Sequence, residues 1–337
     1  MSINALAAKG PKGRLEPFSY DPGALGEEHV EIAVTHCGIC HSDLSMLDNE
    51  WGMTAFPFVP GHEVSGTVAA VGSRVKNLKV GQRVGLGWNS SSCMMCRQCM
   101  SGDHNLCTTA EATIVGRHGG FADRVRCHWA WASPLPDGLD PAKAGPLLCG
   151  GLTVFNPIVQ FGISPTDRVG VVGIGGLGHM ALGFLNKWGC EVVAFTSSPS
   201  KAGEAVRLGA HRAVTSTDAA ELAKLAGTMD FILVTANVPL PWQAYIGALS
   251  PRGRLHFVGA VLQPVPVEIF PMIMGQKSLS GSPVGSPVTA QKMLEFAARH
   301  KVEAQCEMFP MSRANEAFEH LRSGKARYRI VLQNDLK

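Results

Sequence analysis

The chain has 337 residues, a formal net charge of +3, 45% hydrophobic and 17% charged residues. This length favours two domains, and so small a charge, with no Lys/Arg-rich block, argues against a nucleic-acid partner. No run of about 18 apolar residues reads as a membrane span, and the first residues lack the apolar stretch of a signal peptide. A cytoplasmic enzyme with reduced cysteines is therefore expected, and clustered thiols read as metal sites before disulfides.

In chain order, the first part reads as β-rich. "VEIAVTHCGI", "EVSGTVAAVG" and "QRVGLGW" are short apolar runs with β-branched residues, punctuated by glycine. Their spacing predicts a compact, barrel-like fold. Next comes "CMMCRQCMSGDHNLC", with Cys93, Cys96, Cys99 and Cys107 spaced C-x2-C-x2-C-x7-C. Structural zinc takes four tetrahedral ligands, commonly all cysteine, and one loop supplies them here. A saturated site leaves no open position for substrate, so its expected job is to staple a lobe.

Near residue 150 the pattern changes to alternating strand and helix. "RVGVVGIGGLGHMALGFLNKWGCEVVAFTSS" reads as strand, glycine turn, helix, strand, with the first strand over Val169 to Val172, the helix over Met180 to Trp188 and the second strand over Cys190 to Phe195. The unit repeats through "DFILVTA" and "RLHFVGAV", which predicts a parallel, doubly wound sheet. A helix "TAQKMLEFAARH" and a strand "YRIVLQ" follow, and periodicity leaves open whether they extend that sheet or return to the first domain.

Gly173, Gly175 and Gly178 fit G-x-G-x-x-G in the required strand–turn–helix context. Gly173 permits the tight turn, Gly175 lets backbone approach a pyrophosphate, and Gly178 lets helix and strand pack closely. The end of the next strand reads Thr196-Ser197-Ser198-Pro199-Ser200-Lys201, without the acid that bonds a ribose 2′-hydroxyl in NAD-binding folds. Ser197, Ser198 and Lys201 are suited to a 2′-phosphate, so NADPH is the expected cofactor. Gly176, Leu177, Thr235, Val258 and Ser282 complete the candidate cofactor contacts.

A catalytic zinc needs three protein ligands and one open position. His62-Glu63 offers imidazole and carboxylate side by side, while Cys37, Cys40, His41 and Cys149 compete for the other places.

"CGICHSDL", "PGHEVSGTVAAVG", the four-cysteine lobe, "GPLLCGGLTVF" and "GVVGIGGLGHMAL" together resemble the zinc-dependent medium-chain dehydrogenase/reductases, in particular their cinnamyl-alcohol-dehydrogenase-like branch. "LDNEWGM", "GWNSS" and "GKARYRIVL" look closest to the bacterial NADPH-dependent, broad-specificity aldehyde reductases of that branch. The resemblance implies an α/β plus β-barrel architecture: a GroES-like catalytic domain (1–150, with the zinc lobe at 93–107), an inserted Rossmann domain (151–285) and a return to the catalytic domain (286–337). It also ranks the ligands. Cys40, His62 and Cys149 are implied for the catalytic zinc, with Glu63 as a transient fourth ligand and Asp43 orienting the histidine. Cys37 drops out, and His41 matches a residue near the cofactor pyrophosphate. Ser42 matches the hydroxyl that passes a proton to the reacting oxygen. Many relatives place a histidine three residues later, where this chain has Ser45, so no histidine base is carried over.

The implied activity is reduction of aliphatic and aromatic aldehydes to primary alcohols with NADPH, reversible as an alcohol dehydrogenase, with two zinc ions per chain and a homodimer formed at the Rossmann sheet edge near "KSLSGS". Trp51, Trp88 and Val284 are candidate pocket residues. The alternative is a non-catalytic nucleotide-sensing or zinc-binding protein on the same fold, against which the set Cys40, His62, Cys149 and Ser42 argues.

Overall fold

Val30, Ile32 and Val34 recur at every second position and are all buried, so one face of this segment belongs to a core. They lie in the strand His29–Ile39, long enough to pair with three others. Its whole length runs against Glu63–Val71, its first half also against Arg124–His128, and its second half against Arg329–Gln333. The computed structural model describes residues 2–197 and 199–336; Ser198 lies outside the described residues.

The sheet built on this strand has seven strands, in the order Cys306–Pro310, Arg329–Gln333, His29–Ile39, Glu63–Val71, Arg83–Leu86 and Ser133–Pro134, with Arg124–His128 branching from the third. Phe58, Phe121, Leu86, Met311 and Ile330 fill its core. The residues after Gly285 therefore return to the first part of the chain, and the question periodicity left open is answered by strand pairing. Up to Leu152 and from Gly285 onward the chain forms one compact unit; Thr153–Val284 forms the other.

That second unit is a six-stranded, all-parallel sheet in the order Arg212–Thr215, Glu191–Thr196, Arg168–Val172, Met229–Val234, Leu249–Phe257, Ser278–Gly281. Numbered along the chain this order is 3-2-1-4-5-6, the doubly wound arrangement, whose ligand crevice opens at the carboxyl ends of the first and fourth strands. Val169, Val171, Val172, Val192, Val193, Ile232 and Leu233 are all buried, as strands covered on both faces require. The helix Gly178–Trp188 begins two residues earlier than its apolar run suggests and stops at Gly189, which takes the left-handed conformation (φ 111°). The strand Arg212–Thr215 escapes sequence reading because it is short and none of its residues is buried. No helix among the described residues is long and apolar enough to cross a membrane.

Candidate active site and metal centres

Cys40 is extended (φ −103°, ψ 159°) and immediately precedes the helix His41–Leu47. Asp43, in the first turn, accepts the Cys40 backbone N–H at 2.9 Å through Oδ2, which caps the helix and suits its positive end. Its other oxygen accepts the Gly61 N–H at 2.8 Å and lies 3.0 Å from His62 Nδ1. A carboxylate can only accept, so Nδ1 carries the proton and Nε2 is left facing the opposite way. Both side chains are fully buried.

Nε2 points at sulfur, 3.2 Å from Cys149 Sγ, and Cys149 Sγ lies 3.9 Å from Cys40 Sγ. Cys149 sits in a single π-helical turn, Leu147–Gly151. Such turns recur at functional sites because they re-aim one side chain. The fourth member is Glu63, at the start of its strand and opposite Gly38 in register. A Cβ at position 38 would come within 2.1 Å of Glu63 Oε2, so only glycine leaves the carboxylate its place. One ligand atom from each of Cys40, His62, Glu63 and Cys149 falls within 4.8 Å of all the others, and all four residues are buried.

The electrostatics are those of a group arranged around charge. Burial disfavours the His62 imidazolium, but the Asp43 carboxylate outweighs it and lifts the ring to about 10. The thiol–thiol contact pulls Cys40 below the usual thiol range and pushes Cys149 above it. Arg329 forms a buried ion pair with Glu63 Oε1 from 266 residues away. Glu63 Oε2 is buried with no hydrogen-bond partner among the described residues. Two thiols, an imidazole nitrogen whose partner nitrogen is anchored by a carboxylate, and an orphaned carboxylate oxygen together suit zinc.

Around this point, Ser42 Oγ lies 3.8 Å from Cys40 Sγ. Ser45, on the same helix, donates to Glu50 Oε2 at 2.7 Å. His41 is exposed, and Cys37 is buried with no place in the group. Trp88 meets the His62 ring edge-on at 5.0 Å and Trp51 at 6.2 Å.

The second thiol group is self-contained. Cys93, Cys96, Cys99 and Cys107 place their sulfurs within 4.8 Å of one another. Met94 (φ 60°) and Gly102 (φ 88°) supply left-handed turns that let the loop close on itself. Backbone N–H groups aim at the sulfurs: Cys96 N to Cys93, Cys99 N to Cys96 and Cys93 N to Cys107, at 3.3 to 3.5 Å. Such donors favour thiolates, the form a metal needs; they pull the Cys107 thiol down to about 6.

In the parallel-sheet unit, Gly173 turns sharply (φ 89°) and a Cβ on Gly178 would meet the Gly173 oxygen at 1.9 Å. Gly175 has nothing within 4 Å of where a Cβ would be. The turn is thus packed tight at both ends and open in the middle, a cradle for a pyrophosphate. Thr235 Oγ1 donates to the Gly173 oxygen at 2.6 Å and Val258 N to the Val234 oxygen at 3.0 Å. Thr196 is buried, Ser197 exposed and Lys201 half-buried. The Ser282 hydroxyl is engaged by the buried His256, at 2.9 Å.

The fold and these two groups define an oxidoreductase architecture. Residues 26–137 match the model for the alcohol dehydrogenase GroES-like domain and residues 176–299 that for zinc-binding dehydrogenases. The chain belongs to the zinc-dependent medium-chain dehydrogenase/reductases, in their cinnamyl-alcohol-dehydrogenase-like branch. It is 55% identical to aldehyde reductase AdhA of Synechocystis sp., over 98% of this chain and 99% of the relative. Cinnamyl alcohol dehydrogenase 7 of Arabidopsis thaliana is 40% identical over 97% and 94%. Among solved structures, a cinnamyl alcohol dehydrogenase of Sorghum bicolor superposes with a TM-score of 0.93 at 37% identity, covering 99% of this chain and 98% of that one. A Helicobacter pylori relative complexed with NADP(H) gives 0.90 at 26%, covering 99% and 98%.

Arg329 and Glu50 were not found by sequence reasoning. Neither has a spacing signal: Arg329 meets Glu63 only through strand pairing, and Glu50 lies in a turn after its helix.

Proposed function

We propose that the chain is a cytoplasmic, zinc-dependent reductase of uncharged aldehydes, reversible as an alcohol dehydrogenase, that prefers NADPH and binds two zinc ions per chain. The observation that carries this reading is the convergence of Cys40, His62, Glu63 and Cys149 at one buried point, with Asp43 behind His62. When bound, zinc supplies Lewis acidity toward a carbonyl oxygen and NADPH the reducing electrons. Cys40, His62 and Cys149 hold the ion. Asp43 keeps the His62 ring in the tautomer and orientation that leave Nε2 free to ligate. Glu63, held at Oε1 by Arg329, keeps Oε2 available as a transient ligand. Ser42 gives its hydroxyl proton to the substrate oxygen, and that proton is restored from water and the cofactor ribose. Cys93, Cys96, Cys99 and Cys107 hold the second, structural ion.

NADPH preference rests on Ser197, Ser198 and Lys201, the absence of an acid between Thr196 and Lys201, and the NADP(H) complex of the Helicobacter pylori relative. The aldehyde class rests on the names of the Synechocystis and Arabidopsis relatives and on the aromatic surface of Trp51 and Trp88. Burying a methylene contributes about 0.8 kcal/mol, so breadth across chain length is expected.

The test is kcat/KM for aldehydes from propanal to decanal, with benzaldehyde and cinnamaldehyde, using NADPH and NADH, alongside metal analysis. Lys201→Ala should weaken NADPH by roughly ten- to a hundredfold and leave NADH nearly unchanged. Metal content should be near two per chain, with Cys149→Ala losing one ion and all activity while staying folded. Equal efficiency with both cofactors defeats the NADPH assignment; no turnover of any aldehyde defeats the enzymatic one.

Two copies are proposed to pair through the free edge of the parallel sheet. Ser278–Gly281 pairs on one side only among the described residues. Beside it in sequence, Ile269–Gly275 buries none of its side chains and exposes Ile269, Phe270, Ile273 and Met274 at 62% to 71%. An open edge and an apolar patch are both liabilities that association removes.

A further inference from the structure

A turn that binds a pyrophosphate must present N–H groups and hide carbonyls, because each carbonyl oxygen carries partial negative charge. In the turn from Gly173 to Gly178, two carbonyls are tied down. The Gly173 oxygen accepts Thr235 Oγ1 at 2.6 Å. The Gly175 oxygen accepts twice from one residue, His179: the backbone N–H at 3.1 Å and ring Nδ1 at 3.0 Å. The first of these is ordinary helix bonding at the start of Gly178–Trp188; the second depends on the side chain.

We propose that His179 is a positioning residue for the cofactor's pyrophosphate, fixing the Gly175 peptide with its carbonyl turned inward before the ligand arrives. This rests on the dinucleotide reading of the parallel-sheet unit. Gly175 is the open residue of the turn, with nothing within 4 Å of its Cβ position, so its neighbouring peptides have room to rotate. The imidazole hydrogen bond to the Gly175 carbonyl removes that freedom. It is 3% exposed, and burial holds its pKa down at about 4, so the ring is neutral at ordinary pH. A carbonyl can only accept, so the proton sits on Nδ1. His179 touches the turn and not the ligand, and its contribution is preorganisation: without it, part of the binding free energy goes into ordering the peptide.

The proposal is tested by calorimetric titration of NADPH, without aldehyde, into the unmodified protein, His179→Leu and His179→Asn. In parallel, 2′-AMP is titrated, which carries the adenosine end of the cofactor and no pyrophosphate. His179→Leu should bind NADPH about three- to tenfold more weakly. It should bind 2′-AMP unchanged within about twofold, and its KM for NADPH should rise while kcat at saturation holds. His179→Asn, whose amide N–H reaches the same carbonyl, should recover most of the loss. His179→Ala replaces the leucine variant should that one not fold. Unchanged NADPH affinity, an equal loss for both ligands, or an asparagine variant no better than leucine overturns the proposal. If the unmodified protein favours NADH, the same comparison runs with NADH and 5′-AMP. Failure of the unmodified protein to bind either dinucleotide defeats the cofactor reading instead.

Discussion

Glu63 and Arg329 are both buried, and each is the other's compensation. A paired buried charge contributes little net stability, but removing one partner leaves the other stranded and costs about 3–5 kcal/mol. Arg329→Met should therefore destabilise the protein by that amount in urea unfolding. The double variant Arg329→Met with Glu63→Gln should recover a large part of it. Were the single variant no less stable than the unmodified protein, the pair would not be an electrostatic unit. Charges of this kind are poorly legible in a sequence. Cys40, His62 and Cys149 announce themselves by residue type and by family pattern, whereas an arginine in "ARYRIVL" reads as one more surface cation. Its partner is set by register, Ile330 against Ile39 and Gly38 against Glu63, and register is a property of the finished sheet.

At the scale of elements, the parallel-sheet unit carries two buried histidines that stay neutral, one on the helix Gly178–Trp188 and one on the strand Leu249–Phe257. His179 is held at about 4 by burial, and so is His256, by burial and then by Arg254. His256 packs against the rings of Phe161 and Phe231 and bonds Ser280 and Ser282 at 2.9 Å, tying the edge strand to its neighbour. Both titrate near 6.5 when unfolded, so between about 6.5 and about 4 the unfolded chain binds more protons than the folded one. Their contribution is complete above about 6.5 and is lost as pH falls toward about 4. Urea unfolding should show stability dropping between pH 7 and pH 5, and the drop should be smaller in His256→Gln. A flat profile would mean that neither ring is kept neutral by the fold. The parallel strands themselves were readable, because "VGVV" and "DFILV" are apolar without alternation. Arg212–Thr215 was not, since a short strand with no buried residue leaves no hydrophobic signature.

For the whole molecule, the alternation of strand and helix foretells the parallel sheet, and the cysteine spacing foretells a self-contained lobe. Periodicity alone left open the destination of the segment after Gly285, because a helix followed by a strand suits either unit equally; only the family resemblance implied a return to the first unit. Pairing energy decides it: the second half of His29–Ile39 would otherwise expose unpaired backbone groups next to Glu63. Association is the other whole-molecule question. Light scattering should give twice the chain mass for the unmodified protein and the chain mass for Phe270→Asp with Ile273→Asp. A variant that remains a dimer would move the interface away from this edge.

The pairing of Arg329–Gln333 with His29–Ile39 also has a consequence for synthesis. A growing chain emerges in order, and Thr153–Val284 is all present well before Arg329 leaves the ribosome. The later-made unit can therefore finish first, while the earlier one waits with an open sheet edge and an uncompensated glutamate. Contacts so distant in sequence are slow to form, and the waiting segment is the one exposed to proteases and to aggregation. Brief protease treatment of chains stalled before Arg329 should spare Thr153–Val284 and cut the residues ahead of it. Equal protection of both would show that the first unit closes without its final strand.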